Sequence, residues 1–413
     1  MSDNRNTAPI KNTAAAAIAS GSITAVIGAA FLMATSTIGP GFLNNTVVFT
    51  KQYMGAMFIL IVICVGLDVV IHQNVWRPIC YTGKRGQDVA NDLCPGLGYF
   101  FIALIGIVGF IANIGNVGGV ALALQMLVDI NPKIATLIGG GVSLSIFLSN
   151  DIKAAMDKLT IFLGALMIML CLYVAITSAP PISKIPADFA NTQFSDMLMP
   201  IIAIVGGSAG AYLSLAGPHR LIDAGVTGPE NNNLVVKSAI LGCGVGAIMR
   251  ILLFLAAFGV LSKAGVMYDT ANPAASVFKS GAGSVGYIFF GVVLFAAATT
   301  SVVGCSFTCV SLLKSLHRVF TEQEKYCIII WIVLSTLLMT FAGRPAKVLV
   351  ISGVVNGLIL PAVLAIMLLV SRSKRLMGKD YRHPFYLTIL GWLVVVATGY
   401  AAVRAIPSLL KLF

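Results

Sequence analysis

The sequence predicts an all-α integral membrane protein of eleven transmembrane helices, arranged as a five-plus-five inverted repeat with broken helices 1 and 6. Three observations predict it. Of 413 residues, 58% are hydrophobic and only 10% charged, with a mean hydropathy of +0.94, whereas a soluble domain carries about 25% charged residues. Apolar runs long enough to cross a bilayer recur along the whole chain. Two of them, the first and the sixth, are interrupted by glycine-rich stretches, and paired interruptions in corresponding spans mark inverted repeats with a site between them.

In chain order, residues 1–22 are polar or Ala-rich and read as a short cytoplasmic tail without a cleavable signal. Spans follow near 23–49, 56–79, 98–127, 133–149, 157–178, 197–219, 234–262, 284–313, 326–342, 348–370 and 385–408, each an apolar run between polar breaks. No long hydrophilic segment separates them, so residues 23–413 read as one membrane domain. Repeat one covers 23–178, repeat two 197–370, and the helix at 385–408 is an addition. Of the 27 Lys and Arg, 17 fall in the N-terminal tail and the loops after even-numbered spans; 9 fall on the opposite side, and Arg250 lies inside span seven. Cytoplasmic loops retain the positive excess, which places the N-terminus in the cytoplasm and the C-terminus outside, in a plasma membrane of the bacterial inner-membrane type. The net charge of +12 then reflects topology, and no nucleic-acid partner is expected. The eight cysteines form no CxxC pair and read as reduced packing residues. No P-loop, nucleophile and base pair or metal-ligand cluster stands out, so neither enzymatic activity nor a cofactor is expected.

The two interruptions carry the chemistry. "MATSTIGPGFLNNTVVFT" (Met33–Thr50) puts Gly39, Pro40 and Gly41 inside an apolar run and follows them with Asn44, Asn45 and Thr46. "IVGGSAGAYLSLAGPHR" (Ile204–Arg220) clusters Gly206, Gly207 and Gly210 around Ser208, with Tyr212 after them. Unwound backbone at membrane depth is tolerated only where it lines a cavity or holds a ligand. Small residues in membrane helices often serve close packing alone, but two breaks at matching places, each beside hydrogen-bonding side chains, favour a site.

In these breaks the chain resembles the Nramp divalent-metal transporters, proton-coupled carriers of the amino-acid, polyamine and cation transporter superfamily. The resemblance also rests on "TGKRGQDVA" (Thr82–Ala90), "IANIGNVGGVALAL" (Ile111–Leu124) and "VISGVVNGLILP" (Val350–Pro361). It implies a secondary transporter working by alternating access. The departures bear on substrate. Where the family carries Asp-Pro-Gly-Asn, this chain has Gly39-Pro40-Gly41-Phe42; its Met-Pro-His lines up with Gly210-Ala211-Tyr212; and its Asp and Glu of span three fall on Asn113 and Asn116. The ligands that favour transition metals are absent from these positions.

Of 15 Asp and Glu, only Asp68 lies well within a span. Helix N-termini at the breaks, by contrast, offer free amides and a positive dipole end to an anion. The sequence therefore predicts a divergent Nramp-related transporter for a small organic anion, a di- or tricarboxylate such as citrate, held by Gly39, Gly41, Asn44, Asn45, Thr46, Gly207, Ser208, Gly210 and Tyr212. Arg250 is expected either to pair with a substrate carboxylate or to balance Asp68. His219 and Arg220 read as a boundary anchor or a second cationic contact. Asp68 and His72, four residues apart on one helix face, are expected to carry coupled protons. Sodium is the second choice, through hydroxyls such as Thr299 and Thr300. The alternative substrate is a divalent metal, Mg2+ or Mn2+, held in an unusual site.

Overall fold

The computed structural model describes residues 38–410 apart from 129, 264–267 and 315; the side chains of 150–161 and 220 also lie outside the description. Every described element is helical. The helices are α1 Pro40–Tyr53, α2 Ala56–Thr82, α3 Gly86–Leu93, α4 Leu97–Val128, α5 Pro132–Leu148, α6 Asn150–Ser178, α7 Ile185–Ala190 and α8 Phe194–Gly206. They continue with α9 Ala211–Asp223, α10 Asn232–Leu261, α11 Pro273–Leu313, α12 Arg318–Glu322, α13 Glu324–Ala342, α14 Pro345–Arg372, α15 Lys374–Met377 and α16 Phe385–Leu410. Among the described residues eight helical stretches are long and apolar enough to span a membrane, α8 and α9 counting together as one; a ninth is the pair Phe162–Ser178 and Ile182–Ala190, bent by 83°. The shorter α5 and the α1 half of span one account for the other two expected spans. Residues 23–37, the first half of span one, and the tail 1–22 lie outside the described residues.

Several boundaries move outward from the apolar cores because helices run on past the apolar run into polar ends. Span six is two helices: α8 stops at Gly206 and α9 starts at Ala211, with Gly207 to Gly210 between them. α1 begins at Pro40, a residue suited to a first helical turn because its missing N–H would have no partner there. Ten further helical residues, Pro273 to Ala282, precede expected span eight; the chain turns at Gly283, whose φ of 65° favours glycine, and continues in the same α11.

α4 packs most extensively on α11 and α14, α8 on α14, and α2 on α10. Small residues allow the closest approaches. A Cβ on Gly206 would strike the backbone of Gly353 and Gly357 of α14, and one on Gly119 of α4 would meet Pro40. Thus α4 packs against the start of α1, and α14 against the break of span six. Large apolar side chains such as Ile176, Phe341, Phe385 and Val403 face outward, as lipid-facing surfaces do.

Candidate functional site

The residues around the breaks build two neighbouring cavities. The first, with about 430 Å³ of empty space, is lined by Gly39 and Gly41 at the start of α1, Asn45 one turn later, Gly206, Gly207 and Tyr212 from the broken sixth span, Asn116 of α4, Ser301 of α11, and Ser352 and Asn356 of α14. Among the described residues its lining contains no Asp, Glu, Lys or Arg. The N-terminal ends of α1 and α9 both reach it, since Gly39 caps α1 and Tyr212 stands second in α9. First-turn amides lack intrahelical partners. One is taken up: the Tyr212 N–H donates to Asn356 Oδ1 over 3.2 Å, so a side chain from α14 caps the second half of span six. Asn45 is buried, and its Nδ2 has no partner.

The second cavity, with about 330 Å³ of empty space, lies between α2, α10 and the break, and is lined by Asp68, His72, Ser208, Cys243, Arg250 and Phe42, among others. Phe42 is the residue common to both linings. The Arg250 guanidinium lies 4.0 Å from the Phe42 ring centre, a cation–π distance, and one of its terminal nitrogens stands 3.5 Å from the Ser208 hydroxyl. Arg250 is only 2% exposed, and its Nε has no partner. Asp68 is buried with Oδ1 unpartnered, and among the described residues no carboxylate oxygen of Asp68 comes within 4.0 Å of an Arg250 nitrogen. The two charges share one cavity without a direct bond. His72 Nδ1 donates to the Asp68 backbone carbonyl over 2.7 Å, with Cys243 Sγ at 3.6 Å; the contact is to the main chain, not to the carboxylate.

Other sequence candidates point elsewhere. Asn44 donates to the Ala346 carbonyl, tying α1 to α14. The hydroxyls of Thr46, Thr299 and Thr300 donate to carbonyls one turn back in their own helices, the usual role of such residues in membrane helices. Asn113 donates to Ser306 and Ser335 in a buried cluster outside both cavities. Gly210 packs against Asn356. His219 Nε2 accepts from the Gly86 N–H at the start of α3, and Arg220's side chain is outside the described residues. Sequence reasoning did not single out Phe42, Ser352 or Asn356 as site residues. Asn356 stands in a stretch noted for its family resemblance, but its partner Tyr212 is 144 residues away. Among the described residues no group of three or more His, Cys, Asp or Glu stands close enough to hold a metal ion.

Comparison with known proteins agrees with this architecture. The chain is 45% identical over 394 residues to the uncharacterized membrane protein YcsG of Bacillus subtilis, covering 94% of this chain and 96% of the relative. A Haemophilus influenzae membrane protein is 39% identical, covering 94% and 97%. Among solved structures, a mutant manganese transporter of Eremococcus coleocola superposes with a TM-score of 0.73 at 16% identity, over 98% of this chain and 88% of that one. MhsT in complex with L-phenylalanine superposes at 0.60 and 16% identity, over 91% and 98%. These likenesses establish the shared broken-helix, inverted-repeat fold. The family described as natural resistance-associated macrophage protein-like matches residues 14–407, and the chain belongs to this Nramp family of secondary transporters.

Proposed function

We propose that this transporter carries a small organic anion bearing at least one carboxylate, with a di- or tricarboxylate such as citrate as the specific substrate, and that protons drive its uptake. The chain is a transporter and not an enzyme. The observation that supports the substrate class most directly is the first cavity. Two helix N-termini and the unpartnered Asn45 Nδ2 converge on it, and among the described residues no acidic side chain lines it. Such a site attracts a carboxylate through amides and dipole ends. It offers a bare divalent cation only neutral oxygens, without the carboxylate that normally compensates its charge.

In this reading one carboxylate rests against the first turns of α1 and α9, within reach of Asn45 and Tyr212. A second carboxylate at membrane depth needs a cation, and Arg250 stands behind Phe42. A turn of the Phe42 side chain would join the two cavities and release the guanidinium from its ring. Asp68, buried beside Arg250, accepts the coupled proton, and His72 passes it along the same face of α2. The N-terminus lies in the cytoplasm of a bacterial inner membrane, as the Lys and Arg distribution favours.

The test is uptake into proteoliposomes under an imposed pH gradient, with citrate, a monocarboxylate and Mn2+ in parallel. Citrate uptake that rises with an inward proton gradient is the expected result. Saturable Mn2+ uptake without carboxylate uptake would overturn the proposal. Arg250→Gln should reduce binding of the tricarboxylate more than that of the monocarboxylate; equal losses would remove Arg250 from substrate contact.

A further inference from the structure

A third cavity lies far along the chain from the breaks, where α14 ends and the last helix begins. It is a solvent-open hollow with about 690 Å³ of empty space, and is lined by Arg372, Lys374, Tyr381, His383, Phe385 and Thr388, among others. The connection from Arg372 to Arg382 carries Arg372, Lys374, Arg375, Lys379 and Arg382 against a single acid, Asp380. Arg375 is engaged with the Asp92 and Leu93 carbonyls. Neither Arg372 nor Lys374 has a carboxylate within 4.0 Å among the described residues.

The cavity has a built floor. Asn74 of α2 donates from Nδ2 to the Val70 and Leu387 carbonyls, which turns its Oδ1 toward His383 Nε2 at 2.9 Å. Nε2 must then donate and Nδ1 accept, and Nδ1 receives the Tyr381 hydroxyl at 2.8 Å. Tyr381 in turn packs edge-on against Tyr81, with ring centres 4.6 Å apart. Burial, reinforced by Arg77, lowers His383 to about 4, so the imidazole is neutral and the positive charge comes from Arg372 and Lys374. The mouth opens at the head of an apolar surface: Phe385 is 72% exposed, and Ile389, Leu393 and Val396 follow it on the same face of α16, all exposed.

We infer that this cavity binds the phosphate headgroup of an anionic phospholipid, with Arg372 and Lys374 holding the phosphate and an acyl chain lying along Phe385, Ile389, Leu393 and Val396. Arginine and lysine supply the fork and the point charge that phosphate oxygens take. Basic pockets between membrane helices on the positively charged side bind such headgroups. The continuity of a cationic pocket with a lipid-facing stripe favours a phosphate that arrives attached to a lipid over a free one.

The test is native mass spectrometry of the full chain, titrated with phosphatidylglycerol or phosphatidylcholine in mixed micelles. Two double variants each remove two positive charges from the same connection: Arg372→Gln with Lys374→Gln inside the cavity, and Lys379→Gln with Arg382→Gln outside its lining. The first should weaken phosphatidylglycerol retention by roughly 10- to 30-fold, while the second leaves it within about twofold and phosphatidylcholine is indifferent to both. Equal losses in the two variants, or none in either, would overturn the inference. Displacement of the lipid by millimolar inorganic phosphate would assign the pocket to free phosphate and overturn the lipid. A photoactivatable phosphatidylglycerol on the unmodified chain gives a reading independent of the variants' folding. Crosslinks concentrated in residues 371–388 are expected, and crosslinks spread evenly over the other loops would refute the site.

Discussion

Asn45 brings an amide donor into the first cavity and leaves it unpartnered, which costs free energy unless something there accepts from it. Asn45→Ala should therefore weaken carboxylate binding by about 1 to 3 kcal/mol while leaving the fold intact. Calorimetry with the purified protein reads this directly, and unchanged affinity would move the carboxylate away from α1. His383 permits a prediction about pH. Its folded value is lowered to about 4 by burial and then by Arg77, whereas in the unfolded chain it titrates near 6.5. Between these values the unfolded chain binds the extra proton, so stability rises with pH there: the contribution of the neutral imidazole is complete above about 6.5 and is lost as pH falls toward 4. His383→Gln, which removes the titration, should flatten the fall in Tm between pH 6.5 and 4. A fall as steep as that of the unmodified chain would show that other groups dominate. At this scale the sequence was partly legible. Gly39, Gly41, Asn45 and Tyr212 could be placed beside a cavity because the breaks announce themselves locally. Asn44 and Thr46 look the same in sequence, yet one binds a carbonyl 302 residues away and the other its own helix.

The elements were easier to foresee than the contacts between them. A membrane helix must satisfy its backbone internally and present apolar side chains to lipid, so span positions follow from composition. The stretch Pro273 to Ala282 escaped notice because Ser276, Lys279, Ser280 and Gly281 interrupt its short apolar pieces before they reach spanning length. What holds the break of span six open is also not a local signal: α14 contributes the Asn356 cap to α9 and accepts Gly206 of α8 against its own backbone. Two variants separate these roles. Asn356→Ala removes the acceptor of the Tyr212 N–H and should cost about 1 kcal/mol of stability. Gly206→Ala forces α8 away from backbone that cannot yield, so it should lower Tm by more than Asn356→Ala and impair transport even where the protein still folds. Wild-type Tm for Gly206→Ala would show that α8 and α14 can separate without cost.

Across the whole molecule, three elements distant in sequence are joined by a small polar cluster. Arg85, at the start of α3, bonds the Asp223 carboxylate at the end of α9 over 2.7 Å and the Ser311 hydroxyl of α11 over 2.9 Å. The next residue, Gly86, donates its N–H to His219 of α9. Three separate elements thus meet on the face that carries the excess Lys and Arg. Asp223 is 41% exposed at the side chain and Arg85 22%, so the ion pair is screened and contributes no more than about 1 kcal/mol. That is too little to lock a conformation but enough to shift a balanced pair of states by about fivefold. Asp223→Asn should therefore speed the labelling of a cysteine introduced at Ser352, in the first cavity, by a charged thiol reagent applied from the Arg85 face, by roughly two- to fivefold. High salt should raise the unmodified protein's labelling rate toward that of the variant, because exposed ion pairs weaken with ionic strength. If Asp223→Asn leaves labelling unchanged at low salt, the ion pair plays no part in the equilibrium, and the cavity's access is governed by the packing of α4 and α14 against the two breaks.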